Sequence, residues 1–189
     1  MSSSLRPAFR RQAFFTPDAA PAQAALERHI LRLLLAQDGS TTRLCEAVAG
    51  GAVHLEVLHQ QATEDVPALV REQLPGGRFI ERVTYLAAHG EVLMDNLSYI
   101  ALHALEPAAE RDLLAGTMPI GHLLSRWWVR RQAVADDGTL AARLSQAVGL
   151  PDAPATRSYR IDSPEGPRML IAETYRRGML MDRHDGTTR

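Results

Sequence analysis

The chain has little of what usually announces a chemistry. Its 189 residues include a single cysteine, Cys45. One thiol cannot form an internal disulfide, so a reducing compartment, the cytoplasm, is the expected home. No apolar run approaches the ~20 residues that a membrane-spanning helix requires, and no secretory h-region opens the chain. No membrane partner is therefore expected. Strong charge of either sign is also absent. The formal net charge is -1, so no global positive field draws the protein to nucleic acid. There is no G-x-G-x-x-G, no Gly-rich phosphate loop and no G-x-S-x-G elbow. The seven histidines are scattered, with no H-x-x-x-H pair and no cysteine pair beside them. No zinc, iron or other metal site is expected on that pattern.

What remains is an ordinary globular mixture, long enough to bury one core without staples. The expected organisation is a flexible N-terminal tail over residues 1–21, one domain over 22–177, and a flexible tail over 178–189. Met1 to Pro17 carries Arg6, Arg10 and Arg11 and no acid. It reads as a disordered basic tail, with a transit segment as the alternative. A monomer is the default, and a homodimer stays open.

Helical spacing of Leu26, Ile30, Leu33 and Leu34 predicts a helix from Ala22 to Ala36. Ser40 can cap a second helix, Thr41 to Ala49, closed by Gly50 and Gly51. Alternation predicts a strand from Val53 to Leu58. Thr63 to Pro75 reads as a loop with a helical turn. Arg78 to Ala87 and Val92 to Leu102 read as a hairpin about Ala88-His89-Gly90-Glu91. Pro107 starts a helix to Leu114, and Pro119 can open a turn from Ile120 to Arg126. Asp136 to Pro154 is open, with a helix between loops as one reading. Arg157 to Asp162 and Arg168 to Arg176 form a final hairpin. Short links and hairpins predict an α+β fold, a single antiparallel sheet with helices packed on it.

Two charges interrupt apolar strand faces. Arg82 shares a face with Ile80, Thr84 and Leu86. Glu173 shares one with Met169, Ile171 and Tyr175. Buried charges are costly unless paired or used. A structural Arg–Glu ion pair or a solvated face would also explain them. Ser40-Thr41 and Pro119-Ile120 each begin a helix, where free backbone N–H groups can hold an anion or merely be capped. Cys45 reads as a small buried hydrophobe. Trp127-Trp128 beside Arg130-Arg131 reads as core packing with a basic edge, in preference to a stacking platform for nucleic acid.

Four blocks, in order, resemble the chorismate pyruvate-lyases. They are Leu33 to Arg43 with Asp38-Gly39-Ser40-Thr41 at its centre, Arg82 to Leu86 followed by Gly90-Glu91, Gly116 to Leu124 around Pro119-Ile120-Gly121, and Arg157 to Ile161 leading to Met169 to Glu173. The resemblance spans Leu26 to Tyr175. It implies a single antiparallel sheet enclosing a buried ligand cavity, and pyruvate elimination from chorismate to leave 4-hydroxybenzoate, without metal or organic cofactor. It implies that Arg82 binds the ring carboxylate, joined by backbone amides at Ser40, Thr41, Ile120 and Gly121. It places Glu173 at the 4-oxygen side of the ring, as the group that takes or gives a proton. Ser40 stands where the family often has methionine. The strand from Met94 to Ser98 lacks an arginine found near Leu97 in the best-studied branch, and carries the polar pair Asp95-Asn96. His122 follows the P-I-G turn where a basic residue is common. Two alternatives stay open: a lyase-like enzyme acting on another cyclic carboxylate, and a non-catalytic small-molecule-binding domain of the same fold.

Overall fold

Local chemistry sets most element ends where the sequence puts them. In the computed structural model, which describes residues 9–105, 107–114 and 129–180, helix α1 (Pro21–Ala36) begins on a proline, whose missing N–H costs a first turn nothing. Helix α2 (Thr41–Ala49) starts at Ser40, whose hydroxyl accepts from the Arg43 N–H at 3.4 Å. It stops at Gly50 with φ 66°, a left-handed position that a side chain would disfavour. The Ser40 bond is long. Ser40→Ala is therefore expected to cost only about 0.5 kcal/mol, the low end for such caps, read as a small fall in the urea midpoint.

Strands β1 (His54–Thr63), β2 (Phe79–Ala88) and β3 (Glu91–Ala101) follow, with the short helix α3 (Ala68–Gln73) between β1 and β2. The β2–β3 turn has positive φ at both His89 and Gly90, the twist that suits a two-residue hairpin. Helix α4 (Pro107–Leu114), strand β4 (Arg130–Ala133), helix α5 (Thr139–Val148) and strands β5 (Thr156–Ser163) and β6 (Gly166–Tyr175) complete the order. The six strands form one sheet in the order β1-β2-β3-β6-β5-β4, antiparallel throughout. The fold is α+β, as the hairpin spacing predicted.

Both faces of this sheet are covered. One face packs Phe79, Val83, Leu97, Leu170 and Ala172 against Val70 and Leu74 of the α3 region and Leu140 and Leu144 of α5. The other packs Ile80, Ile100, Met169 and Ile171 with Leu113 of α4. Toward the β2–β3 turn, Leu86 and Tyr175 meet Leu31 and Leu34 of α1 and Cys45 of α2. Every residue of β3 is buried, which is why its sequence does not alternate. Cys45 is fully buried, and burial pushes its thiol well up, as befits a small core hydrophobe. Among the described residues no helix is long and apolar enough to cross a membrane.

The differences from expectation lie at the edges. β1 runs five residues beyond Leu58, past a register shift between Val57 and His59. β4 was not anticipated at all. Both are polar edge strands, whose residues face water on one side and lose the apolar rhythm. The open stretch after Asp136 contains α5.

Residues 9–20 correct the expectation of a loose tail. Arg10 donates its N–H to the Gly90 carbonyl and accepts from the Val92 N–H. Phe14 is fully buried beside the α1–α2 helices. One buried aromatic ring, backbone bonds to the β2–β3 turn, and bonds to Glu27, Asp95 and Asp152 hold a segment that has no periodicity to read. At the other end, Gly178 and Met179 are buried too, in the turn Arg177–Leu180.

Candidate functional site

The strand register sorts the charged residues into two faces. On the face under α1, α2 and α4, cross-strand partners build parallel rows. One row reads Gln60, Arg82, Ser98, Ile171 and Tyr159. The next reads Thr84, Asn96, Glu173 and Arg157. Arg82 and Glu173 therefore share a face, two strands apart and one row offset. That is about 10 Å across the sheet and ~7 Å along it. The floor between them is polar: Thr84, Asn96 and Ser98 are all buried. The Ser98 hydroxyl donates to the Asn96 amide oxygen.

Arg82 is fully buried. Burial pulls its guanidinium down to about 10, which leaves it cationic at neutral pH. Glu173 is 3% exposed and is not the lone carboxylate that its strand suggested. Its Oε2 accepts from Thr41 Oγ1 at 2.9 Å and from Arg157 Nε and Nη2 at 3.1 and 2.9 Å. Its Oε1 accepts from the Tyr159 hydroxyl at 2.8 Å. Burial, followed by the Glu173 charge, pushes the Tyr159 hydroxyl well up, so it stays a donor. Arg157 also reaches the carbonyls of Leu34, Leu35 and Gln37, tying the end of α1 to the sheet. Its guanidinium lies 5.1 Å from the Tyr159 ring centre and 5.5 Å from that of Tyr175. An Arg–Glu ion pair does exist on this face, but Glu173 makes it with Arg157, a residue given no role above. The signal was present: Arg157, Tyr159 and Ile161 alternate as Arg82 and its neighbours do.

Ser40 and Thr41 lie at the start of α2, and Thr41 reaches Glu173 directly. Ile120, Gly121, His122 and the pair Trp127-Trp128 fall outside the described residues. The Asp95-Asn96 pair splits between the two faces. Asn96 lies on the floor described above. Asp95 points to the other side, where Arg176 Nε meets it at 2.6 Å and Arg11 Nε at 3.1 Å.

The arrangement is that of a one-sheet α+β protein with a buried, charged inner face beneath helices. A sequence model of the family described as "Chorismate pyruvate-lyase Rv2949c-like" matches residues 35–180. The chain belongs to that family. No curated protein matches it. Several solved structures are similar in shape. The ligand-binding domain of a GntR-family regulator from Bordetella bronchiseptica is 15% identical, with 65% of this chain and 85% of that one covered and a TM-score of 0.42. A GntR-family regulator from Bacillus cereus is 10% identical, at 65% and 90% coverage and a TM-score of 0.42. The C-terminal domain of the histidine utilization repressor from Pseudomonas syringae is 10% identical, at 66% and 91% coverage and a TM-score of 0.43.

Proposed function

We propose that the protein is a chorismate pyruvate-lyase, which eliminates pyruvate from chorismate to leave 4-hydroxybenzoate. The observation that carries this reading is the buried inner face. A cation and a carboxylate sit on it two strands and one row apart with a polar floor between them, in a chain of this family. The reaction breaks the C4–H and C3–O bonds and aromatises the ring. The enolpyruvate that leaves takes up a proton to become pyruvate. No electrons leave or enter the substrate, so the reaction needs a held conformer and one managed proton.

Arg82 grips the ring carboxylate, a pairing that can be bidentate and so fixes the ring plane. The amides at Ser40 and Thr41 add backbone donors, and those at Ile120 and Gly121 take the same role. Glu173 manages the proton. Its Oε2 already accepts three hydrogen bonds, whereas Oε1 accepts one. A carboxylate oxygen has room for about two, so Oε1 is the atom available to the substrate. Arg157 and Thr41 on Oε2 and Tyr159 on Oε1 hold the carboxylate in place.

The direct test is to mix the purified protein with chorismate and follow 4-hydroxybenzoate by chromatography and absorbance. 3-Hydroxybenzoate would redirect the reading to a related lyase. Tight binding without turnover would redirect it to a sensor. Loss of a charge-assisted contact with the carboxylate is worth roughly 10- to 100-fold in affinity. Arg82→Ala is therefore expected to raise KM for chorismate by about that factor, and an unchanged KM would remove Arg82 from the site.

A further inference from the structure

Arg131 stands out among the remaining charges. It lies on β4 opposite Ile161 and so belongs to the same inner face. Its guanidinium is 6.0 Å from the Tyr159 ring centre, and Tyr159 is bonded to Glu173. Its Nη1 donates to the Asp38 carbonyl at 3.1 Å, immediately before the Ser40-Thr41 helix start. Two features set it apart from Arg157. Among the described residues no carboxylate pairs with it, whereas Arg157 is matched by Glu173. Its Nε is also buried without an acceptor. A buried donor left unmatched costs free energy of the order of a lost hydrogen bond, and it calls for a reason.

We propose that Arg131 binds the second carboxylate of a dianionic substrate, the one on the enolpyruvyl arm. This rests on the chorismate reading and sharpens it, since it separates a dicarboxylate ligand from a plain aromatic acid. Arg82 and Arg131 lie at opposite sides of the face, four strand spacings apart, or roughly 19 Å between backbones. Two long side chains reaching inward shorten that span from both ends. Tyr159 lies between them on Arg82's own row, and Glu173 stands one row to the other side of that row from Arg131. A ring held by Arg82 at its carboxylate would extend its ether arm over Tyr159 toward Arg131, with Glu173 at its flank. The charge count agrees. Glu173 offsets Arg157, which leaves Arg131 as a cation that an anionic arm can satisfy. After elimination the arm is free enolpyruvate, whose carboxylate no longer ties it to the ring, so each product then has one arginine rather than two.

The test compares two ligands on one variant. Arg131→Met keeps the apolar stem over Tyr159 and removes the charge, and Arg131→Lys keeps the charge. KM for chorismate is measured by pyruvate release, and the affinity for 4-hydroxybenzoate by calorimetry. The expected result for Arg131→Met is a rise of about 10- to 100-fold in KM for chorismate, an unchanged affinity for 4-hydroxybenzoate, and partial recovery in Arg131→Lys. Equal losses for both ligands would make Arg131 a structural brace, and no loss for either would dismiss it; both outcomes overturn the inference alone. A wild-type protein that engages neither ligand would overturn the lyase reading and this inference together.

Discussion

Glu173→Gln is expected to lower turnover of chorismate by about 10²–10⁴-fold, the usual worth of a positioned acid–base group. Glutamine is nearly the same shape, so geometry is held while proton chemistry is removed. Its orientation can be derived. Arg157 and Thr41 both donate to the Oε2 position, so the amide oxygen must lie there. The NH2 group then falls at the Oε1 position, next to the Tyr159 hydroxyl. That exchanges the one oxygen open to substrate for a donor. Arg157 also loses its counter-charge, so a thermal melt must accompany the assay. Glu173→Asp is the control: it keeps the charge and the ion pair but withdraws the carboxylate by about one methylene. Activity is read as pyruvate release coupled to lactate dehydrogenase. Near-normal turnover in the glutamine variant, with the fold intact, would end the assignment of Glu173 as the proton carrier.

The two charges at the centre of this reading were legible because a strand has period two. An arginine or a glutamate on an apolar face breaks that rhythm visibly. Which charge pairs with which was not legible. Arg157 meets Glu173 only because the β5–β6 hairpin closes with one particular register, including a shift between Ile161 and Asp162. Moving a strand by one residue would send Arg157 to the other face. The same holds for the split between Asp95 and Asn96. They are neighbours in sequence, and the pleat turns them to opposite sides. Distance along the chain hid the rest. Asp95 is held by Arg176 and Arg11, which lie 81 and 84 residues away. The segment around Phe14 has neither helical nor strand spacing. Burial of one ring, bonds to the β2–β3 turn, the Phe14 N–H on Asp152 at 2.6 Å, the Thr16 N–H on Glu27 at 3.0 Å and the Arg11 pair with Asp95 fix it. Local signals such as Ser40, Gly50 and Gly90 set where elements start and stop, and those boundaries came out nearly as read.

The charged cluster around Asp95 gives the second large effect, on stability rather than catalysis. Asp95 and Arg176 are both fully buried. Arg176 donates to Asp95 Oδ2 and to the Leu150 carbonyl at 2.9 Å, and it faces Asp152 at 3.8 Å. Arg11 adds a second cation, stacked 5.0 Å from the Tyr85 ring centre. Asp95→Ala would therefore leave two guanidinium groups facing one another without the carboxylate between them. Breaking a buried pair from one side typically costs about 3–5 kcal/mol, and that is the expected loss, read as a fall in the urea midpoint. The like-charge contact also pushes Arg11 off the sheet, so proteolysis in residues 9–20 should quicken. Removing both partners separates charge from packing. Asp95→Leu with Arg176→Met takes the cost of an unpaired charge away, because apolar groups of similar volume can replace a buried pair at little or no loss. The double variant should be more stable than Asp95→Ala, although Arg11 keeps it below wild type. A double variant no better than the single one would mean that the cluster acts through shape rather than charge. Its place on the face of the sheet opposite Arg82 and Glu173 means that KM for chorismate should not move in any of these variants that still fold.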